Sequence, residues 1–281
     1  GVAHKERFKE AFHGIDILTL SATPIPRTLN MALSGIRDMS VIEEPPQDRY
    51  PVQSFVLEYD AGLIVQAIQR ELKRGGQVYY IHNRVETILQ CAGKLQDMLP
   101  DARIGYAHGK MSELEISEVW NRLVEHEIDI LVCTTIIETG VDIPNANTLI
   151  LEQADRFGLS QLHQLRGRVG RGSDKAYCIL FPGEHHTKDS ERMSIMQKNT
   201  DGFNIAEQDL RLRGPGQFFG SRQHGLLSFK IANIYCDTDL LSETSKAANE
   251  LLSEDKGLKK AENAAIYAEI LKIFDTDITF S

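Results

Sequence analysis

The sequence predicts an α/β fold, a parallel sheet with flanking helices, followed by a mostly helical C-terminal region. Three observations carry this reading. Between about Pro51 and Pro182, short β-branched or apolar runs alternate with longer amphipathic ones, as βαβ units require. Beyond Pro182 the pattern becomes mostly helical. The chain has 281 residues, 42% hydrophobic and 25% charged, which are globular proportions with length enough for more than one core.

Taken in order, Val52 to Leu57, Val78 to Ile81, Arg103 to Tyr106, Ile130 to Cys133, Thr148 to Leu151 and Tyr177 to Phe181 read as strands. Ala61 to Lys73, Arg84 to Met98 and Ser112 to Glu125 read as the helices between them. The last opens with Ser112-x-x-Glu115, a capping box in which each side chain satisfies a backbone donor of the first turn. Upstream, Ile15 to Leu20 reads as a strand and a helix is expected from Pro26. Glu43 to Asp48, with Pro45 and Pro46, breaks all periodicity and reads as a linker. Downstream, helices are expected over Lys188 to Lys198, Ile205 to Leu212, Asp239 to Leu252 and Glu262 to Phe274. The expected domains are therefore 1–46, the end of an earlier unit, then 47–184 and 185–281.

No apolar run approaches the roughly 20 residues of a membrane span, and no signal peptide opens the chain, so a soluble cytoplasmic protein without a membrane partner is expected. The four cysteines lie far apart with no Cys-x-x-Cys pair, which suggests reduced thiols and neither a metal site nor disulfides. A net charge of −9 argues against bulk electrostatic binding of nucleic acid. The charge is uneven, with 11 Lys or Arg against 8 Asp or Glu between 155 and 225, so any polyanion contact is expected there.

Within that segment, Gln161 to Gly172 sets Gln164, Arg168 and Arg171 at fixed spacing among small residues. Arginine keeps its charge and offers a planar fork of donors, so the array suits a phosphate, although basic residues beside glycines also occur as plain solvated loops. Ligands of parallel sheets sit where strands end, which directs attention to three more loops. Thr134 to Pro144 clusters hydroxyls, Gly140 and Asp142. The hydroxyls suit phosphate oxygens, and Asp142 suits a ribose hydroxyl or the orienting of an arginine; the alternative is that these residues simply cap a helix and a turn. His82-Asn83-Arg84 and His108 to Ser112 offer donors beside helix starts, where lone histidines are also commonly structural.

Ser21-Ala22-Thr23-Pro24, His82-Asn83-Arg84, Thr134 to Pro144 and Gln164 to Arg171, in this order, resemble the later motifs of superfamily 2 helicases. Thr23 to Leu29, Gly158 to Leu162 and the arginine stretch are similar to the RecG and Mfd group of double-stranded DNA translocases. Asp201 to Leu210, Arg213 to Gly216 and Gly220 to Gln223 resemble RecG, whereas Ser34 to Ser40 and His82 to Glu86 look closer to Mfd.

The resemblance implies a RecA-like second helicase lobe over 47–184, the end of the first lobe over 1–46, and a helical translocation hairpin with the C-terminal region over 185–281. It implies that Arg168 and Arg171 act as arginine fingers, with Gln164, Asp142 and Gly140 beside the nucleotide. Ser21 and Thr23 would link the ATP state to lobe movement, Arg84 and Thr134 would touch the DNA backbone, and Arg192, Arg213 and Gln223 would couple hydrolysis to movement on duplex DNA. The implied parent is a bacterial, nucleoid-associated helicase using ATP with Mg2+ on double-stranded or branched DNA in recombination and repair, with other replication or repair proteins as partners. No Gly-x-x-x-x-Gly-Lys loop occurs, so the chain is expected to be a piece cut within the first motor domain that neither binds ATP tightly nor hydrolyses it alone. Two rival readings are an Mfd-like transcription-repair coupling translocase and a non-catalytic module that binds DNA or protein.

Overall fold

Six short apolar segments, each too rich in β-branched and aromatic residues to favour a helix, pair into one all-parallel sheet. They are β1 (Gln53–Val56), β2 (Gln77–Ile81), β3 (Ile104–Ala107), β4 (Ile130–Cys133), β5 (Ala146–Glu152) and β6 (Tyr177–Phe181), in the order β1-β6-β5-β2-β4-β3. The computed structural model describes residues 18, 20, 40, 42, 50–138, 142–172, 174–183, 186–213 and 238–274. The strand expected at 15–20, the helix expected from Pro26 and most of the expected domain 1–46 lie outside the described residues.

Every residue of β2 and β4 is buried, as expected of central strands covered on both faces. On one face Val78, Tyr80, Ile130, Val132, Ile150 and Phe181 pack against α1 (Ala61–Lys73) and α2 (Ile88–Met98). On the other, Tyr79, Leu131, Leu149, Leu151 and Leu180 meet α3 (Glu113–Val124), α4 (Leu159–Arg166) and α5 (His186–Lys198). Next come α6 (Gly202–Arg213), which packs on α4 and α5, then α7 (Thr238–Glu254) and α8 (Ala264–Phe274). No helix among the described residues is long and apolar enough to cross a membrane.

Local chemistry explains where these helices begin. The Asp60 carboxylate accepts from the N–H groups of Gly62 (2.7 Å) and Leu63 (3.0 Å) at the start of α1. At α3 the capping box forms as read: Ser112 Oγ accepts from the Glu115 N–H at 3.3 Å, and Glu115 Oε2 accepts from the Ser112 N–H at 2.7 Å. Two differences from the sequence reading bear on function. The helix expected from Arg84 begins instead as a 3-10 turn over Val85–Thr87, with Arg84 extended before it. The sequence reading assigns no helix to 159–166, yet those residues form α4.

Candidate functional site

Leu159, Leu162, Leu165 and Val169 are buried against the sheet, which fixes the face of α4 and of the turn that follows it. Gln164 and Arg168 are left half-buried, and α4 packs beside the turn Thr135–Glu138 at the end of β4. The chain then doubles back through Gly170, whose φ is +71°. A Cβ there would stand 2.9 Å from the Ala176 Cβ and 3.1 Å from Val52 Cγ2, so both conformation and space require glycine. A Cβ on Gly172 would stand 3.0 Å from the Pro144 carbonyl oxygen, so this close approach brings the arginine loop onto the loop carrying Asp142. As a result Arg171 Nη1 lies 3.2 Å from Asp142 Oδ1, with 28% of the arginine side chain exposed. Asp142 is thereby paired with an arginine. Burial pushes the Tyr79 hydroxyl well above its ordinary range, while the nearby Arg171 and Arg168 charges oppose that shift.

This array fits the anionic part of a nucleotide. Its donors are guanidinium groups, suited to phosphate oxygens, and the Asp142 carboxylate is paired with Arg171.

The other sequence-derived candidates fall in varied places. Arg84 is exposed and, with His82, Asn83, Glu152, Gln153, Arg156 and Phe157, lines a cleft where β2 and β5 end. Thr134 is buried, at 7% exposure, and its N–H donates to the Ala107 carbonyl at 3.3 Å, so it offers DNA little surface. Arg192 braces the turn after β5, donating to the carbonyls of Phe157 (2.9 Å) and Asp155 (3.1 Å). Arg213 is the last residue of α6. Ser21, Thr23, Gly140 and Gln223 lie outside the described residues.

Below the Arg84 cleft sits a satisfied polar network. Glu152 Oε2 lies 2.6 Å from His82 Nδ1, Tyr80 donates to Glu152 Oε1, and His82 Nε2 lies 2.8 Å from Thr87 Oγ1. Burial pushes the Glu152 carboxyl up, but the hydrogen bonds from His82 and Tyr80 outweigh it and hold the group below its ordinary range. Cys91 is close enough that His82, Cys91 and Glu152 have potential ligand atoms within 4.8 Å of one another. Both His82 nitrogens are already bonded, however, and burial pushes the Cys91 thiol up to about 12, which disfavours the thiolate a metal needs. The network orders the strand ends.

One residue of the arginine stretch behaves unlike its neighbours. Arg166 is 4% exposed and spreads its guanidinium over the carbonyls of Asn199 (2.7 Å), Met196 (3.1 Å) and Thr200 (3.2 Å), with His163 Nδ1 at 3.1 Å. These carbonyls belong to the C-terminal end of α5 and the residues after it, a place that favours a cation. Sequence reasoning passed over Arg166, although its place on the stripe with Leu159 and Leu162 was the available signal.

Residues 62–173, which hold most of the parallel sheet and the arginine-glycine turn, match the family "Helicase conserved C-terminal domain". Residues 199–281 match "ATP-dependent DNA helicase RecG, domain 3, C-terminal". The chain belongs to the RecG and transcription-repair-coupling group of superfamily 2 ATP-dependent DNA helicases and translocases. It is 46% identical over 276 residues to the transcription-repair-coupling factor of Staphylococcus aureus (strain USA300), covering 96% of this chain and 23% of that protein. With the Staphylococcus epidermidis (strain RP62A) counterpart it shares 48% over 266 residues, 92% of this chain and 22% of that one. The structure of RecG bound to a three-way DNA junction superposes with a TM-score of 0.65 at 39% identity, covering 82% of this chain and 32% of RecG. The chain thus spans less than a quarter of the curated relatives it matches.

Proposed function

We propose that this chain supplies the arginine-bearing side of a nucleotide cleft in an ATP-driven translocase on double-stranded DNA. The observation that supports the reading is the turn Gly167–Gly172 after α4, which holds Arg171 3.2 Å from Asp142 where the strands of a parallel sheet end. In this reading Arg168 and Arg171 neutralise charge as the terminal phosphoryl group leaves ATP, and Gln164 orients the attacking water. Mg2+, when bound with ATP, neutralises further phosphate charge; its ligands and the phosphate loop belong to a partner lobe, since the sequence has no Gly-x-x-x-x-Gly-Lys. The chain alone is accordingly inactive as an ATPase and works in the cytoplasm as part of a two-lobed motor. Ser21 and Thr23 relay the nucleotide state between lobes, Gly140 lies beside the nucleotide, Arg84 meets the DNA backbone, and Arg192, Arg213 and Gln223 serve coupling.

Arginine fingers contribute about 10³ to 10⁵ in rate. In the protein with both motor lobes, Arg168→Ala and Arg171→Ala are each expected to lower DNA-stimulated ATP turnover at least ~10³-fold. Turnover within a few-fold of the unchanged protein would refute the assignment. For the biological role, the 46% identity across nearly the whole chain favours coupling of transcription to repair. The likeness to RecG on a three-way junction supports branched DNA as the alternative substrate. Release of a stalled RNA polymerase, assayed beside junction unwinding, distinguishes the two.

A further inference from the structure

Consecutive residues of β2 point to opposite faces of the sheet, and each leads to a different pair of arginines. The Tyr79 hydroxyl lies in the field of Arg171 and Arg168, whereas Tyr80, on the side of α1 and α2, donates to Glu152 beneath the cleft lined by Arg84 and Arg156. The second pair is therefore separate from the nucleotide array. Its supports are fixed. Arg192 holds the carbonyls of Asp155 and Phe157, the two neighbours of Arg156, and the Asp155 carboxylate accepts from the Gly183 N–H at 2.5 Å. Phe157 is buried, and Gln153 turns the chain after β5 with φ +52° and ψ +45°, a left-handed conformation uncommon for a residue other than glycine. Across the cleft, the contacts of His82 with Glu152 and Thr87 pin the loop that carries Arg84. Between these supports Arg84 and Arg156 are both exposed, and no hydrogen bond or ion pair of either guanidinium is found among the described residues. The rim is thus cationic above a floor whose carboxylate is already engaged.

We propose that Arg156 is a second contact to the DNA backbone, placed beside Arg84 so that the two guanidiniums take two phosphates of one strand across the ends of β2 and β5. A guanidinium offers donors and no acceptor, in a fork that matches phosphate oxygens. On a loop whose neighbouring residues are already pinned, it has little backbone freedom left to lose when the phosphate arrives. Asn83, also exposed at the rim, adds an amide donor. Contacts of this kind fix register and orientation on the duplex and carry no base sequence. Arg156 lies outside every motif on which the helicase resemblance rests. The inference rests on the reading, given above, that the protein works on duplex DNA.

The test uses the protein with both motor lobes and needs no ATP hydrolysis. Affinity for duplex DNA of two unrelated sequences is measured by fluorescence anisotropy from roughly 50 to 200 mM salt, because each phosphate neutralised contributes about 0.9 to the slope of log affinity against log salt. Arg156→Ala is expected to lower that slope by about 0.9 and the affinity about tenfold, equally on both sequences. Arg84→Ala combined with Arg156→Ala is expected to lower the slope by about 1.8, since two phosphates are lost. Arg156→Lys keeps a point charge and should hold the slope near that of the unchanged protein. A slope unaffected by Arg156→Ala overturns the contact, and so does a double variant that loses no more than Arg84→Ala alone. Should Arg156→Ala weaken binding of a non-hydrolysable ATP analogue while the DNA slope stays intact, the cleft holds a nucleotide phosphate and the proposal fails. Failure of the underlying function reads differently: the unchanged protein would then bind no duplex, which removes this contact with it, whereas a failed Arg156 contact leaves duplex binding and its salt slope as they are.

Discussion

Two sets of strand-end loops on this sheet use charged residues in opposite ways. Around β2 and β5, His82, Glu152, Tyr80 and Thr87 satisfy one another and leave little for a ligand to bind. Around α4, Arg166 is taken up by the carbonyls at the end of α5 together with Ser54 and His163, while Arg171 a few residues on is held by one exposed carboxylate. The comparison teaches that the type of residue does not distinguish scaffold from site. What distinguishes them is whether the fold already supplies every partner, since a saturated charge fixes geometry and a partly satisfied one remains available to substrate.

The contrast can be broken at several points. The largest stability effect is expected at Arg166: Arg166→Met leaves buried carbonyls without donors and should cost about 3 kcal/mol of unfolding free energy, measured by urea denaturation. Gln77 comes next. Its buried amide donates to the carbonyls of Leu123 and Ile128, both at 2.7 Å, and Gln77→Ala should cost about 2 kcal/mol by the same measurement.

The Glu152 network sharpens the comparison through pH. Its carboxyl is held below the ordinary range when folded, so its contribution is fully present above about pH 4.3 and is lost as pH falls through the lower folded value. Glu152→Gln should therefore cost about 1 kcal/mol near pH 7, and the gap from the unchanged protein should close as the denaturation series is taken toward pH 3. A gap that stayed constant across the series would mean that His82 and Tyr80 do not stabilise the charged carboxylate. The smallest effect is expected at Asp142, where Asp142→Asn should shift stability by no more than about 0.5 kcal/mol because the pair is exposed. Its consequence should appear instead in ATP turnover of the two-lobed protein, as a loss of about tenfold from a less ordered Arg171.

Much of this was legible in the chain. Periodicity located the six strands and the three helices between them, and the Ser112–Glu115 capping box forms as read. The spacing of Gln164, Arg168 and Arg171 and the strand-end loop with Asp142 stand out in the sequence separately; their meeting, at Arg171 and Asp142, is visible only in the structure. The order of strands was not legible, because parallel pairing joins segments far apart and leaves no local mark. The α4 helix leaves little mark for a related reason: at eight residues it is too short for a strong periodic signal, and the glycines and arginines that follow it read as a loop. Arg166 was missed because an arginine is expected at the surface, and only the placement of α5 shows where its donors go. Glu152 meets His82 across 70 residues of sequence, a pairing that no spacing rule reveals.

If Arg171 serves chemistry while Arg166 serves the fold, removing the Arg171 guanidinium must affect turnover and leave stability intact. The direct measurement is Arg171→Ala in the two-lobed protein, with thermal unfolding and DNA-stimulated ATP turnover recorded on one preparation. The expected result is an unfolding midpoint within about 2 °C of the unchanged protein together with at least a ~10³-fold loss of turnover. A lowered midpoint with turnover preserved would contradict it, and would return Arg171 to the scaffold.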